Sequence, residues 1–116
     1  MKDHRISQVP EVTKLQVGDE EVEIEVRKLP WSKKNQIISN STSWDKSGVT
    51  RFNFDSYIKE ALIYMIVKAP WGETNHIFLT SIDEELGAAL ESIVPKAFAG
   101  SSSEGLDGIK KESEGV

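Results

Sequence analysis

The chain has 116 residues, enough for one domain. It carries 14 Lys and Arg against 19 Asp and Glu, a net charge of −5, which argues against a primary duplex-DNA binder because phosphate affinity needs a concentrated basic surface. There are no cysteines, so disulfide frameworks, thiolate zinc sites and cysteine nucleophiles are excluded together. No apolar run is long enough to span a bilayer, and no signal-peptide core follows the charged first residues. The expected location is the cytoplasm.

Residues 1–11 mix charge and polarity without a period and read as a mobile arm. From Val12 the pattern alternates: Val12, Leu15 and Val17 share a face, and Val22, Ile24 and Val26 alternate with glutamates and Arg27. Gly18-Asp19-Glu20 between them is a turn signal, so the stretch predicts a β-hairpin with one buried and one acidic, solvated face. Leu29-Pro30-Trp31 ends the second strand and opens a helix over 31–42, weak by propensity and held by packing of Trp31. Residues 43–48 read as a loop and 49–54 as a short third strand.

Asp55 is a candidate N-cap for the most apolar helix, over 56–68. Its stripe of Ile58, Ala61, Leu62, Met65 and Ile66 is widened by Tyr57, Ile63, Tyr64 and Val67. A helix with so little polar surface is central in the core or meets a partner. Ala69-Pro70-Trp71-Gly72 stops it, and 73–79 is open between a strand and a helical turn. Ser81-Ile82-Asp83-Glu84 has the form of a capping box before an amphipathic helix closed by Pro95. The tail, 96–116, is rich in Ser, Gly and charge and is expected to be disordered. The fold class expected is α+β: an N-terminal hairpin, with a third short strand, packed with three helices in a domain over 12–95.

Little chemistry is visible. His4 lies in the arm, and nothing places a nucleophile beside His76, which reads as a surface or cap histidine. Glu21, Glu23 and Glu25 line one strand face, too spread to wrap a small cation. Four of the eight glycines lie in the tail, and no phosphate loop or dinucleotide fingerprint can be written from the set. Lys28-Leu29-Pro30-Trp31-Ser32-Lys33-Lys34 combines charge with an aromatic group, as single-stranded nucleic-acid binders do, but Trp31 packed inward with wet lysines is the preferred reading. No catalytic residue, metal ligand or cofactor site is expected. The nine aromatic residues are many for so small a domain, which points to a partner surface. Trp44, in a polar stretch, and Phe98, just past Pro95, are expected to be exposed.

These residues, in this order, resemble the tail assembly chaperones of long-tailed bacteriophages and prophages. The resemblance covers about Val12 to Pro95 and is carried by the strand Val22-Glu23-Ile24-Glu25-Val26, Leu29-Pro30-Trp31, the Phe52-Asn53-Phe54 segment, the helix from Asp55, the Ala69-Pro70-Trp71-Gly72 stop and the final Leu90-Glu91-Ser92-Ile93-Val94-Pro95. It implies a non-enzymatic protein that coats the tape measure protein, keeps it soluble in the host cytoplasm and recruits tail tube subunits. It further implies a homo-oligomer and a longer product made by frameshifting, for which Ile109-Lys110-Lys111 would suit a slippery codon run. The recognition mode would be a helix in an apolar groove. Tyr57, Ile63, Tyr64, Val67 and Trp71 are the candidate groove residues, with Trp44 and Phe98 as further partner contacts. The alternatives are a tail completion or head–tail connection protein kept in the virion, and a small nucleic-acid-binding regulator.

Overall fold

The computed structural model describes residues 3–98. The chain is α+β, running β1 (Glu11–Val17), β2 (Glu20–Val26), α1 (Trp31–Asn40), β3 (Thr42–Trp44), β4 (Thr50–Phe52), α2 (Phe54–Met65), β5 (Ile66–Lys68), α3 (His76–Ser81) and α4 (Glu84–Glu91). Strands β1, β2 and β5 form one antiparallel sheet, and β3 and β4 a second, two-stranded one.

The hairpin forms where the alternation placed it. Leu15 faces Val22 and Thr13 faces Ile24, so the period of two buries Leu15 and Ile24 together. Gly18 takes φ 61° in the turn, a left-handed conformation that glycine adopts without a Cβ penalty. One residue departs from expectation: Val12 is 63% exposed, because its odd offset from Leu15 puts it on the outer face opposite Glu25. That face carries Lys14 near Glu21 and Lys68 near Glu25, each pair 3.9 Å apart. The arm is also shorter than expected, since Glu11 already belongs to β1; residues 3–10 are exposed, with Gln8 accepting a hydrogen bond from the Tyr64 hydroxyl at 2.8 Å.

The apolar period of α2 continues past its end, yet the helix stops at Met65 and Ile66–Lys68 is a strand. Pairing with the open edge of β2, Ile66 to Val26 and Lys68 to Glu25, outweighs another helical turn. The cap is also displaced: extended Asn53, not Asp55, accepts from Ser56 N at 3.0 Å, while Asp55 sits in the first turn and pairs with Lys59 at 2.8 Å. The expected loop over 43–48 takes in Ser43 and Trp44 of β3 and the hairpin turn, and only Thr50–Phe52 of the expected third strand pairs as one. Asp45 organises that turn, accepting from Ser47 Oγ at 2.6 Å and from Ser47 N and Val49 N; these bonds hold its carboxyl below the usual carboxylate range.

Helix α1 ends at Asn40, two residues early, because Thr42 starts β3. The packing expected of Trp31 is absent: its side chain is 78% exposed, and buried Ile37 and Leu29 anchor the segment. The ambiguous stretch resolves as α3, capped by Asn75. Ser81 ends α3, donating its hydroxyl to Phe78 O, so the capping box does not form and Asp83 caps α4 by accepting from Leu86 N at 2.9 Å.

Two clusters flank α2. One joins Leu15, Ile24, Leu62, Ile66, Leu79 and Leu90 between the sheet and α3–α4; the other joins Leu29, Ile37, Tyr57, Ala61, Met65 and Ala97 beneath α1. Ala97 is buried, so the packed body runs beyond the expected boundary at 95; the rest of the expected disordered tail, 99–116, lies outside the described residues.

Candidate partner-binding surfaces

The fold scatters the candidate groove residues. Tyr57 is 0% exposed, its ring tilted against Phe52 at 5.9 Å between centroids and its hydroxyl donating to Pro95 O at 2.6 Å. Burial pushes that hydroxyl up to about 12. It is a core residue and no partner contact, because the first turn of α2 lies under α1 rather than at the surface. Ile63 packs half-buried against the sheet-side cluster. Tyr64 is half-buried with Arg27 stacked 3.9 Å from its ring centroid and Lys33 at 5.3 Å. Val67, expected on the helix, is exposed on β5. Trp71 stacks on Phe78 at 4.9 Å and donates Nε1–H to Thr74 Oγ1 at 2.9 Å. Trp44 is 72% exposed at the end of β3, and Phe98, also surface-accessible, meets Phe52 edge-on at 5.2 Å.

A groove does exist, on other residues. Between α2 and α4 lies an open hollow of about 500 Å³ floored by Ile58, Leu62, Leu79, Ile82, Gly87 and Ala88. Gly87 and Ala88 create it, since their small side chains leave the α4 wall low where leucine would fill it. Its rim carries Asp55, Asp83, Glu84 and Glu91 against one cation, Lys59, which is already paired with Asp55. A second hollow of about 350 Å³ shares Ile82 and Asp83 with the first and adds Val17, Glu20, Val22, Pro70, Trp71 and Leu86. Trp71 is therefore the one candidate groove residue that lines either of these two hollows. The signal for the groove was the small pair Gly87-Ala88 inside an amphipathic helix, and sequence reasoning passed over it.

At the start of α1 the chemistry inverts. Residues 26–44 hold four Lys and Arg and no Asp or Glu. Among the described residues, Arg27, Lys28, Lys33 and Lys34 have no carboxylate within ion-pair distance. Instead Arg27 Nε donates to Tyr64 O at 2.7 Å, Lys33 to Gln36 Oε1 and Lys34 to Lys96 O, both at 3.3 Å. The first turn of α1 has no acidic residue and no side-chain cap.

His76, half-exposed at the start of α3, pairs with Glu60 of α2 and so ties the two helices together. Among the described residues, no group of three or more His, Asp or Glu is arranged to hold a metal ion. Nor is any described helix long and apolar enough to cross a membrane. What the fold defines is an α+β domain with apolar hollows of acidic rim and a separate basic, aromatic patch. Comparison with protein-family models, curated proteins and solved structures finds no match for this chain.

Proposed function

We propose that this chain is a non-enzymatic tail assembly chaperone of a long-tailed phage or prophage, acting in the host cytoplasm on the tape measure protein and handing it to tail tube subunits. The observation that carries the reading is the α2–α4 hollow. Its apolar floor suits one face of an amphipathic helix, and its acidic rim selects a client segment flanked by Lys or Arg. The sequence resemblance supplies the identity of that client. No step requires a catalytic group or a cofactor.

The test is co-expression with the tape measure protein of the same phage or prophage. The tape measure protein becomes soluble and co-purifies if the reading holds. Ala88→Trp fills the hollow from an exposed position of α4 and abolishes capture while leaving the circular dichroism spectrum unchanged. A client that stays insoluble, or one captured equally well by Ala88→Trp, overturns the assignment. Purified virions separate the main rival: a tail completion or head–tail connection protein remains in the particle, whereas a chaperone is absent from it.

A further inference from the structure

We infer that the segment Leu106-Asp107-Gly108-Ile109-Lys110-Lys111 of this chain docks in the chain's own α2–α4 hollow and holds the place of a client until one displaces it. The docking stands on the hollow and the sequence alone; the competition with a client rests on the function proposed above.

The hollow sets two requirements. Its floor of Ile58, Leu62, Leu79 and Ile82 asks for apolar side chains, and its rim of Asp55, Asp83, Glu84 and Glu91 asks for cations beside them. Lys59 leaves that second requirement open, because it is already paired with Asp55 at 2.8 Å. Between 99 and 116 the sequence holds two lysines, Lys110 and Lys111, and they directly follow Ile109. Leu106 precedes Ile109 by three residues, so over one helical turn the two share a side. The six-residue run carries two cations and one carboxylate, the reverse of the balance at the rim. Apolar contact supplies the affinity, and the charges fix the direction in which the segment lies.

The path is short. The described chain leaves the body beside this hollow: Lys96 and Ala97 line a smaller one of about 180 Å³, and Ile58 and Glu91 line both. Leu106 is eight residues past Phe98, and an extended chain covers at most about 3.3–3.6 Å per residue, about 26–29 Å in all. From Glu91 to Glu84, along the whole of α4, is only about 10 Å at the helical rise. Leu106 and Ile109 therefore reach the floor, and Lys110 and Lys111 reach the far rim at Asp83 and Glu84. A tether this short presents the segment at an effective concentration of about millimolar, enough to make a weak contact persist. A docked segment that leaves about one-tenth of the molecules open lowers the apparent affinity for a client about tenfold. Short apolar peptides are then refused, whereas a long amphipathic helix, with more apolar face than Leu106 and Ile109 offer, displaces the segment.

Paramagnetic relaxation in the full chain tests the docking. The chain has no cysteine, so a single introduced thiol carries the nitroxide. A label on Ser113→Cys is expected to broaden the amide signals of Gly87 and Ala88. Leu106→Ser with Ile109→Ser removes the broadening, as does Glu84→Lys with Glu91→Lys, and as does Ala88→Trp, each with the circular dichroism spectrum unchanged. Broadening that is absent, that survives these variants, or that falls on Lys33 and Lys34 instead overturns the inference. A synthetic leucine–lysine amphipathic helix then probes the competition, binding Leu106→Ser with Ile109→Ser about tenfold more tightly than the parent. Equal affinity for the two proteins overturns the competition. The two readings fail separately: capture of the tape measure protein without docking sinks this inference and leaves the proposed function standing, and docking without capture does the reverse.

Discussion

Helix α2 separates two cores built on different terms. On the sheet side, six aliphatic side chains from six elements interlock, and no single one dominates. On the α1 side a single large ring, Tyr57, sits among Leu29, Ile37, Ala61, Met65 and Ala97, and its hydroxyl reaches the backbone of Pro95. The first core spreads its stability over many contacts. The second concentrates it in one residue that also ties down the end of the packed chain.

That contrast can be broken at graded cost. Tyr57→Ala empties the α1-side core and should lose about 3–5 kcal/mol, measured by chemical denaturation, against about 2–5 kcal/mol for Leu62→Ala on the sheet side. A larger loss at Leu62 would show that the sheet side is the more concentrated. Tyr57→Phe keeps the ring and removes only the bond to Pro95, for about 0.5–1.5 kcal/mol. It also carries a pH signature. Burial raises the Tyr57 hydroxyl from 10.0 to about 12, so the folded state favours the neutral phenol. Its contribution is full below the unfolded-state value near 10 and is lost as pH rises towards 12. Stability of the parent chain should therefore fall across that alkaline window more steeply than that of Tyr57→Phe, and parallel curves would refute the assignment.

Smaller effects sharpen the comparison at its edges. Asp83→Ala removes the cap of α4 beside both hollows and should cost about 1 kcal/mol in the same denaturation experiment. Trp31→Ala, on a side chain that the fold does not use, should stay within about 0.5 kcal/mol of the parent. A large loss there would mean that the indole packs after all.

Legibility in the sequence followed the same division. The hairpin, α2 and α4 were readable because Leu15, Ile24, Leu62 and Leu90 recur at the period of their own element. The conversion of Ile66–Lys68 from helix to strand was not, since local period and propensity favour a helix and only the distant edge of β2 decides otherwise. Strand β3 was hidden in a polar stretch whose pairing with β4 depends on the Asp45 turn. Ser81 and Asp55 looked like caps because both precede helical runs, but caps are chosen by backbone conformation, and Asp83 and Asn53 hold the extended one. The candidate site fared worst. Counting aromatic residues says that some must be exposed without saying which. Tyr57 went inside and Trp31 outside because α1 lies over the first turn of α2, a tertiary fact with no local marker.

Helix α2 passes into β5 without a connecting loop, Met65 being followed directly by Ile66. Arg27 clamps the junction twice, its N–H bonding Met65 O at 2.8 Å and its guanidinium bonding Tyr64 O at 2.7 Å. Helix and edge strand are thus pinned to the end of β2 at Arg27. Ile58 and Leu62 of the same helix wall the α2–α4 hollow, so an occupant that displaces α2 is expected to load the β2–β5 ladder. Amide hydrogen exchange at Arg27 would then act as a gauge for the hollow, speeding up when it is filled although nothing touches the strand itself.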